Sequence, residues 1–299
     1  MFISEFLALG AATCIAASGM LINELAGRVG LFRLALWQMT AAVIMTGAVS
    51  LILGGWRSVE AWQFGYLAAS SLFGIMIAST TYFAAIYAAG PRVTALLFSL
   101  TSPFALVLGY LILGETISLR QGFGVALVLA GIVLAVGLPM PRRAQVQAVG
   151  TALASTVPWR GIALGVVTAF GQAMGSLCAR PVMASGVEPF TAMAIRAGLA
   201  ALFFLALRLM PIRSLHPPQP FVFKHLAIGV TASFFGTGLG MSLLMAALAH
   251  GNVGIVSTLS SMTPVVILPM LWARTGISPP ATAWVGALLA VAGTALISL

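Results

Sequence analysis

The chain has 299 residues, of which 61% are hydrophobic and 6% are charged. Soluble domains carry roughly 25% charged residues, so a particle of this composition could not cover itself with a polar surface. This excludes a sizeable soluble domain and indicates an integral membrane protein. The net charge of +9 does not indicate nucleic-acid binding, because the basic residues are scattered between apolar segments, as is typical of topology determinants.

Ten segments, in chain order, are apolar and long enough to cross a bilayer, since a spanning helix needs about 20 residues. Short links rich in glycine, proline or arginine separate most of them. We therefore predict an all-α integral membrane fold with ten transmembrane helices. The segments lie at residues 5–25, 33–54, 63–89, 92–113, 120–138, 158–180, 190–210, 225–249, 253–272 and 281–298.

The two halves of the chain resemble each other. Residues 124–131 and 286–293 both consist of six apolar residues between two glycines, at an offset of 162 (286 minus 124). Gln38 falls opposite Arg196 at an offset of 158 (196 minus 38). Each half holds five predicted spans, and five is odd, so the second copy starts on the opposite side of the membrane. We predict two inverted repeats, an arrangement that favours transport by alternating access.

The boundaries of these repeats follow from a longer link at the middle of the chain. We expect a first five-helix repeat over residues 1–140, a link over residues 141–157 and a second five-helix repeat over residues 158–299. Such an organisation favours a transporter over a membrane scaffold that transports nothing, which is the alternative from another functional class.

Several of these features resemble a known family. The stretch from Gly90 to Pro103, the sequence Leu113-Gly114-Glu115 and the glycine-spaced fifth and tenth segments resemble the EamA-type members of the drug/metabolite transporter superfamily. The likeness is greatest to bacterial amino-acid exporters, including the aromatic-amino-acid exporter branch. The resemblance implies export of small metabolites, with amino acids of broad type as the expected substrates, through a central cavity in the bacterial inner membrane. The family motif has an arginine at the position of Gln38, and this chain has an arginine, Arg196, at the matching position of its second half.

The distribution of basic residues and the family resemblance predict opposite orientations of the protein in the membrane. Ten lysines and arginines lie in the odd-numbered links and three lie in the others, so the positive-inside rule places both termini outside the cell. The resemblance implies cytoplasmic termini, and we adopt that expectation. The resemblance is also compatible with a rival function, the export of drugs, hydrophobic cations or another metabolite class.

Enzymatic chemistry and cofactors are not expected. The histidines His216, His225 and His250 lie in or beside different links, no metal-ligand spacing occurs, and the chain has no aspartate. None of the five glutamates falls in the middle of a predicted span. A proton relay normally needs an acid or histidine inside a span, so we expect facilitated export that is driven by the substrate gradient.

The substrate site must then consist of uncharged polar and aromatic groups. In each half, a serine-rich stretch precedes a helix-breaking proline, Pro103 or Pro264, whose missing N–H frees a carbonyl one turn earlier. Hydroxyls and freed carbonyls can hold an α-ammonium group. For each hydroxyl, the alternative is a bond to its own helix or to a neighbouring one. Following the helices that the resemblance places around the cavity, the candidates are Ser79, Tyr82, Phe98, Ser99, Ser102, Gln172, Ser176, Thr237, Ser260 and Thr263.

Arg196 is the basic residue that lies in the interior of a predicted span, away from its ends. Two interpretations are open: it binds a substrate carboxylate, or it has a structural role at the interface or against carbonyls of a neighbouring helix. The expected partners are an amino-acid substrate and the lipid bilayer, and we expect the protein to function as a monomer.

Overall fold

The computed structural model describes residues 3–25, 27–136, 159–210, 221–276 and 280–298, and these ranges contain no strand. Helices account for nearly all of them, because a backbone in lipid must satisfy its polar groups within its own segment. The link predicted at residues 141–157 lies outside the described residues. The helices are α1 (Ile3–Leu25), α2 (Leu31–Leu53), α3 (Ala61–Ser71), α4 (Ala78–Phe98), α5 (Thr101–Leu113), α6 (Leu119–Val136), α7 (Trp159–Ala184), α8 (Pro189–Leu209), α9 (Phe223–Ser233), α10 (Met241–His250), α11 (Val253–Ser260), α12 (Thr263–Thr275) and α13 (Ala281–Ser298).

Within the described ranges, six helical segments are long and apolar enough to cross a membrane. Three shorter apolar helices lie at Thr101–Leu113, Leu119–Leu134 and Ala281–Gly293. The six segments are Ile3–Leu25, Leu31–Leu53, Ala61–Ala89, Trp159–Ala184, Pro189–Leu209 and Phe223–His250.

The structure breaks two predicted spans at places that differ from the predicted links. Helix α4 covers residues 90–92, where we predicted a link, but the chain reverses direction between Tyr82 and Phe98. Their ring centroids lie 5.7 Å apart, whereas 16 residues (98 minus 82) of straight helix would separate them by about 24 Å. The predicted span 92–113 is also interrupted at Ser99 and Leu100, and the span 253–272 is interrupted at Ser261 and Met262. Helix α5 thus begins two residues before Pro103 and α12 one residue before Pro264.

Helices from the first half pack mainly against helices from the second half. Helix α6 lies along α13, α2 lies along α8, α4 packs on α7, and α1 packs on α9 and α10. At the α6–α13 contact the backbones nearly touch. A Cβ atom on Gly131 would lie 2.5 Å from the carbonyl oxygen of Gly286, and one on Gly293 would lie 2.5 Å from that of Gly124.

Two short π-helical segments lie within long apolar helical stretches, one in each half of the chain. One covers Leu72–Ile77 between α3 and α4, and the other covers Phe234–Gly240 between α9 and α10. Both make close contacts. Cβ atoms on Gly74 and Gly236 would lie 3.1 Å from the Gly175 Cα and 2.4 Å from the Ser18 hydroxyl, respectively. Only a residue without a side chain fits at such approaches.

The two ends of the bundle have different polar contacts. At one end, which we call the Glu115 end, the Glu115 carboxylate accepts a 2.8 Å hydrogen bond from the Val253 N–H and lies 3.5 Å from the Nε of Arg180. It therefore caps the start of α11 and joins the two halves of the chain. At the other end, the Val29 end, the Tyr87 hydroxyl donates a 2.9 Å hydrogen bond to the Val29 carbonyl.

Candidate functional site

A central cavity of about 80 Å³ lies where α1, α2, α4, α7 and the two π-helical segments meet. In α1 its lining residues fall between the middle of the helix and the Val29 end. Five predicted site residues line this cavity together: Ser79, Tyr82, Phe98, Gln172 and Thr237.

Aromatic rings form one wall of the cavity. The Tyr82 ring makes an edge contact with Phe98, at 5.7 Å between ring centroids, and another with Phe83, at 6.1 Å. Gly19 faces this wall, and a Cβ atom there would lie 3.3 Å from the Tyr82 hydroxyl oxygen. The glycine therefore leaves room for the hydroxyl beside the cavity.

The other polar lining groups are uncharged. The Thr168 hydroxyl lies 2.7 Å from the Leu164 carbonyl, to which it can donate its one hydrogen, and 2.8 Å from the Thr81 hydroxyl. Gln172 lies one turn further along α7. Among the described residues that line the cavity, none is acidic or basic, so the space suits hydrogen bonding and stacking.

The remaining polar candidates lie outside the cavity, and most of them bond within the protein. Ser102 bonds to the Thr258 hydroxyl, and Ser260 donates to the Ser257 carbonyl at 3.1 Å. Thr263 donates to the Ser260 carbonyl at 3.1 Å. Ser99 and Ser176 are buried, and neither is among the lining residues.

The carbonyls that the prolines were expected to free have partners. The Ser99 carbonyl, one turn before Pro103, accepts a 3.2 Å hydrogen bond from the Ser102 N–H. The Ser260 carbonyl accepts the Thr263 hydroxyl. Each of these two carbonyls therefore already accepts a hydrogen bond from a residue three positions further along the chain.

Sequence reasoning did not choose Gln38 as a site residue, yet it lines the cavity. Its side chain is 2% exposed, and its Nε2 has no hydrogen-bond partner among the described residues. The signal that could have found it was its position opposite Arg196 in the aligned halves.

Arg196 lies in α8 and is fully buried. Its Nη1 contacts the Met245 sulfur at 3.2 Å and the Met193 sulfur at 3.9 Å. Its Nε and Nη2 have no partner among the described residues. A Cβ atom on Gly74, a lining residue, would lie 2.8 Å from Nη2. The guanidinium group therefore lies directly behind the cavity wall.

Comparisons with known proteins agree with this architecture. The family model described as "EamA-like transporter family" matches residues 2–137 and again residues 159–299. The chain belongs to the EamA-like transporter family. This EamA-like protein is therefore a multi-pass membrane protein from a family of transporters.

A solved crystal structure of a protein has the same fold as this EamA-like chain, with a TM-score of 0.75. The match covers 98% of this chain and 95% of the other, at 20% sequence identity. No curated protein matches the chain significantly. The structural similarity extends along nearly the whole chain and concerns the fold alone.

A larger space of about 500 Å³ lies at the Glu115 end, between α2, α3 and α8. The polar groups around it already have structural roles. Glu60 caps α3 and accepts a 2.7 Å bond from the Trp62 indole, while Ser50 bonds to Thr191 at 2.6 Å. The central cavity is smaller, but its lining includes the Gln38 Nε2, a buried donor that has no hydrogen-bond partner among the described residues.

The described residues contain no group of three or more His, Cys, Asp or Glu side chains that could hold a metal ion. The cysteines Cys14 and Cys178 are both free. The groups that line the central cavity can bind a small molecule by hydrogen bonds and ring contacts.

Proposed function

We propose that this EamA-like protein exports small metabolites, with amino acids of broad type including aromatic ones as substrates, by alternating access. The observation that carries the proposal is the central cavity, whose wall combines the Tyr82 and Phe98 rings with the amides of Gln38 and Gln172. Amides and hydroxyls can hydrogen-bond the polar groups of an amino acid, and aromatic rings accept its side chain.

Alternating access requires two halves that can rock about a common site, and we propose that residues 1–140 and 158–299 are inverted repeats of five helices each. Matched contacts support this. The Ser71 hydroxyl donates a 2.6 Å bond to the Arg196 carbonyl, and the Ser233 hydroxyl donates a 2.6 Å bond to the Gln38 carbonyl. Ser233 is 162 positions after Ser71 (233 minus 71), and Arg196 is 158 after Gln38. Such an exchange of partners is expected of a two-fold axis.

The glycine contacts between α6 and α13 show the same exchange of matched partners between the two halves. Gly131 meets Gly286, and Gly293 meets Gly124, with each pair made of one residue from either half. The π-helical segments also begin 162 positions apart (234 minus 72), at Leu72 and Phe234. These pairs support an axis that passes through the central cavity.

The cavity must widen during transport of larger substrates. Ligand pockets usually measure about 300–1,000 Å³, so a space of about 80 Å³ holds only a few non-hydrogen atoms. A π-helical segment is a weak point in a helix and is common at functional sites. We propose that the segments Leu72–Ile77 and Phe234–Gly240 yield when an aromatic side chain enters.

The absence of acidic residues among the described lining groups supports transport without proton coupling, driven by the substrate gradient. We further propose that the protein works as a monomer in the bacterial inner membrane, with both termini in the cytoplasm. Labelling of a Ser4→Cys variant from outside intact cells would contradict this orientation.

An uptake screen in proteoliposomes tests the function. Radiolabelled amino acids are added with and without imposed pH and voltage gradients, and empty vesicles are the control. We expect uptake of several amino acids without any pH gradient. Uptake equal to empty vesicles for every amino acid would contradict the substrate class, and uptake that requires a pH gradient would contradict the coupling.

A further inference from the structure

Within the part of the chain that the structure describes, the guanidinium group of Arg196 is a buried charge without a counter-charge. It is fully buried in α8, and the hydrogen-bond contacts of its Nη1 with described residues are to methionine sulfurs, which are weak acceptors. No described carboxylate lies within ion-pair distance of it, and Nε and Nη2 lack hydrogen-bond partners. A charge in such a place is costly unless an anion neutralises it.

The unsatisfied Nη2 is directed at the wall of the central cavity. The lining residue Gly74 separates them, and a Cβ atom there would come within 2.8 Å of Nη2. The absence of a side chain at this residue is what keeps the guanidinium near the cavity. Gly74 also belongs to the π-helical segment Leu72–Ile77, whose looser hydrogen bonding allows the wall to shift locally.

Another donor without a partner lines the cavity itself. Among the described residues, the Nε2 of Gln38 has no hydrogen-bond partner, and the residue is 2% exposed. Gln38 and Arg196 occupy matched positions in the two halves, and their carbonyls accept the matched hydroxyls of Ser233 and Ser71. One donor without an acceptor among the described residues lines the cavity and another lies behind its Gly74 wall, so a ligand group that accepts hydrogen bonds without donating any would suit both.

We propose that Arg196 and Gln38 form a binding subsite for a carboxylate group. The proposal rests on the proposed function in taking the central cavity as the substrate site, and it specifies that substrates carry a carboxylate. The ligand group enters beside Gly74, accepts from the Gln38 amide and neutralises the Arg196 guanidinium. A carboxylate fits because it accepts only and because a cavity of about 80 Å³ admits a group of that size.

Acetate and acetamide form a matched pair of probes, with nearly the same shape and a different charge. Thermal unfolding of the purified full chain in detergent is followed during titration with sodium acetate, acetamide or sodium chloride. We expect acetate to raise the unfolding temperature saturably, with half-saturation at a concentration roughly 10-fold or more below that for acetamide. Sodium chloride at equal ionic strength gives the baseline.

Arg196→Gln should abolish the preference for acetate, and Gln38→Leu should weaken acetate binding by a smaller factor. Arg196→Gln removes an unpaired buried charge, so we expect it to fold. If it does not, Arg196→Lys, which keeps the charge and loses the fork of donors, should bind acetate more weakly than the wild type. The control is Arg57→Gln, which removes an exposed arginine stacked on Trp56 and should leave acetate binding unchanged.

Three results would overturn the subsite. They are equal stabilisation by acetate and chloride, equal stabilisation by acetate and acetamide, and either an acetate preference that survives Arg196→Gln or acetate binding by Arg196→Lys that is as tight as in the wild type. These outcomes are separate from the proposed function, since amino-acid uptake in proteoliposomes can succeed or fail whatever acetate does to the unfolding temperature.

Discussion

Gly131→Ala tests whether α6 and α13 pack backbone to backbone. The added Cβ atom would lie 2.5 Å from the Gly286 carbonyl oxygen and 2.6 Å from the Ala290 nitrogen. Ordinary contact begins at 3.4 Å, so one backbone must retreat by about 0.9 Å (3.4 minus 2.5). Overpacking of this kind costs about 1–3 kcal/mol. Alanine recovers about 1 kcal/mol through its helix propensity, so we expect a net loss of about 0–2 kcal/mol, and a protein about 1–3 kcal/mol less stable than one with the same substitution at a helical glycine that has free space.

The control is the same substitution in the same helix. Gly122 is exposed, and a Cβ atom there would meet nothing within 4 Å, so Gly122→Ala should be neutral or stabilising by up to about 1 kcal/mol. Gly293→Ala should match Gly131→Ala, because its Cβ atom would lie 2.5 Å from the Gly124 oxygen. The free energy of unfolding is measured in mixed detergent micelles. A Gly131→Ala protein as stable as Gly122→Ala would refute the close approach.

Two further substitutions test the contacts between the halves. Ser71→Ala and Ser233→Ala each remove one buried hydroxyl that donates a 2.6 Å bond, so each should lower the free energy of unfolding by a similar amount, about 0.5–1.5 kcal/mol; clearly unequal losses in chemical unfolding would contradict the matched geometry. Glu115→Gln should cost about 1 kcal/mol at low salt, since it weakens the cap on the Val253 N–H and removes the charge facing Arg180. The loss of stability should be smaller at high salt in thermal unfolding. A loss of stability that is the same at low and high salt would contradict a stabilising Glu115–Arg180 ion pair.

Much of the fold could be predicted from composition alone. Apolar segments of about 20 residues must be helical in lipid, and the glycines at 124, 131, 286 and 293 do lie where α6 and α13 meet. The breaks inside two apolar segments were harder to predict. Neither the break at Ser99 and Leu100 nor the one at Ser261 and Met262 contains a glycine or a proline.

The cavity could be predicted in part. Ser79, Tyr82, Phe98, Gln172 and Thr237 came from helices that the family resemblance assigns to a cavity, and these side chains do meet. The sequence could not show whether the hydroxyls near the prolines face the cavity. The rotamer of a serine or threonine determines whether its hydroxyl is available to a ligand or bonds to a nearby carbonyl. Their bonds to neighbouring groups are visible only in three dimensions.

The π-helical segments also have no clear sequence signal. Leu72–Ile77 and Phe234–Gly240 have the same apolar, glycine-containing composition as ordinary spanning helix. Their hydrogen bonding follows from the packing of Gly74 and Gly236 against the partner half. Similarly, the position of Gln38 in the cavity wall and its unpartnered Nε2 are visible only in three dimensions.

The measurement that tests alternating access most directly is the accessibility of Ser79, a residue of the cavity wall, from the two faces of the membrane. Ser79→Cys is placed in a chain whose Cys14 and Cys178 are replaced by alanine, and a membrane-impermeant maleimide is applied to either face of oriented vesicles. We predict labelling from both faces and protection by a transported amino acid. Labelling from one face only, unchanged by every transported substrate, would contradict alternating access through this cavity.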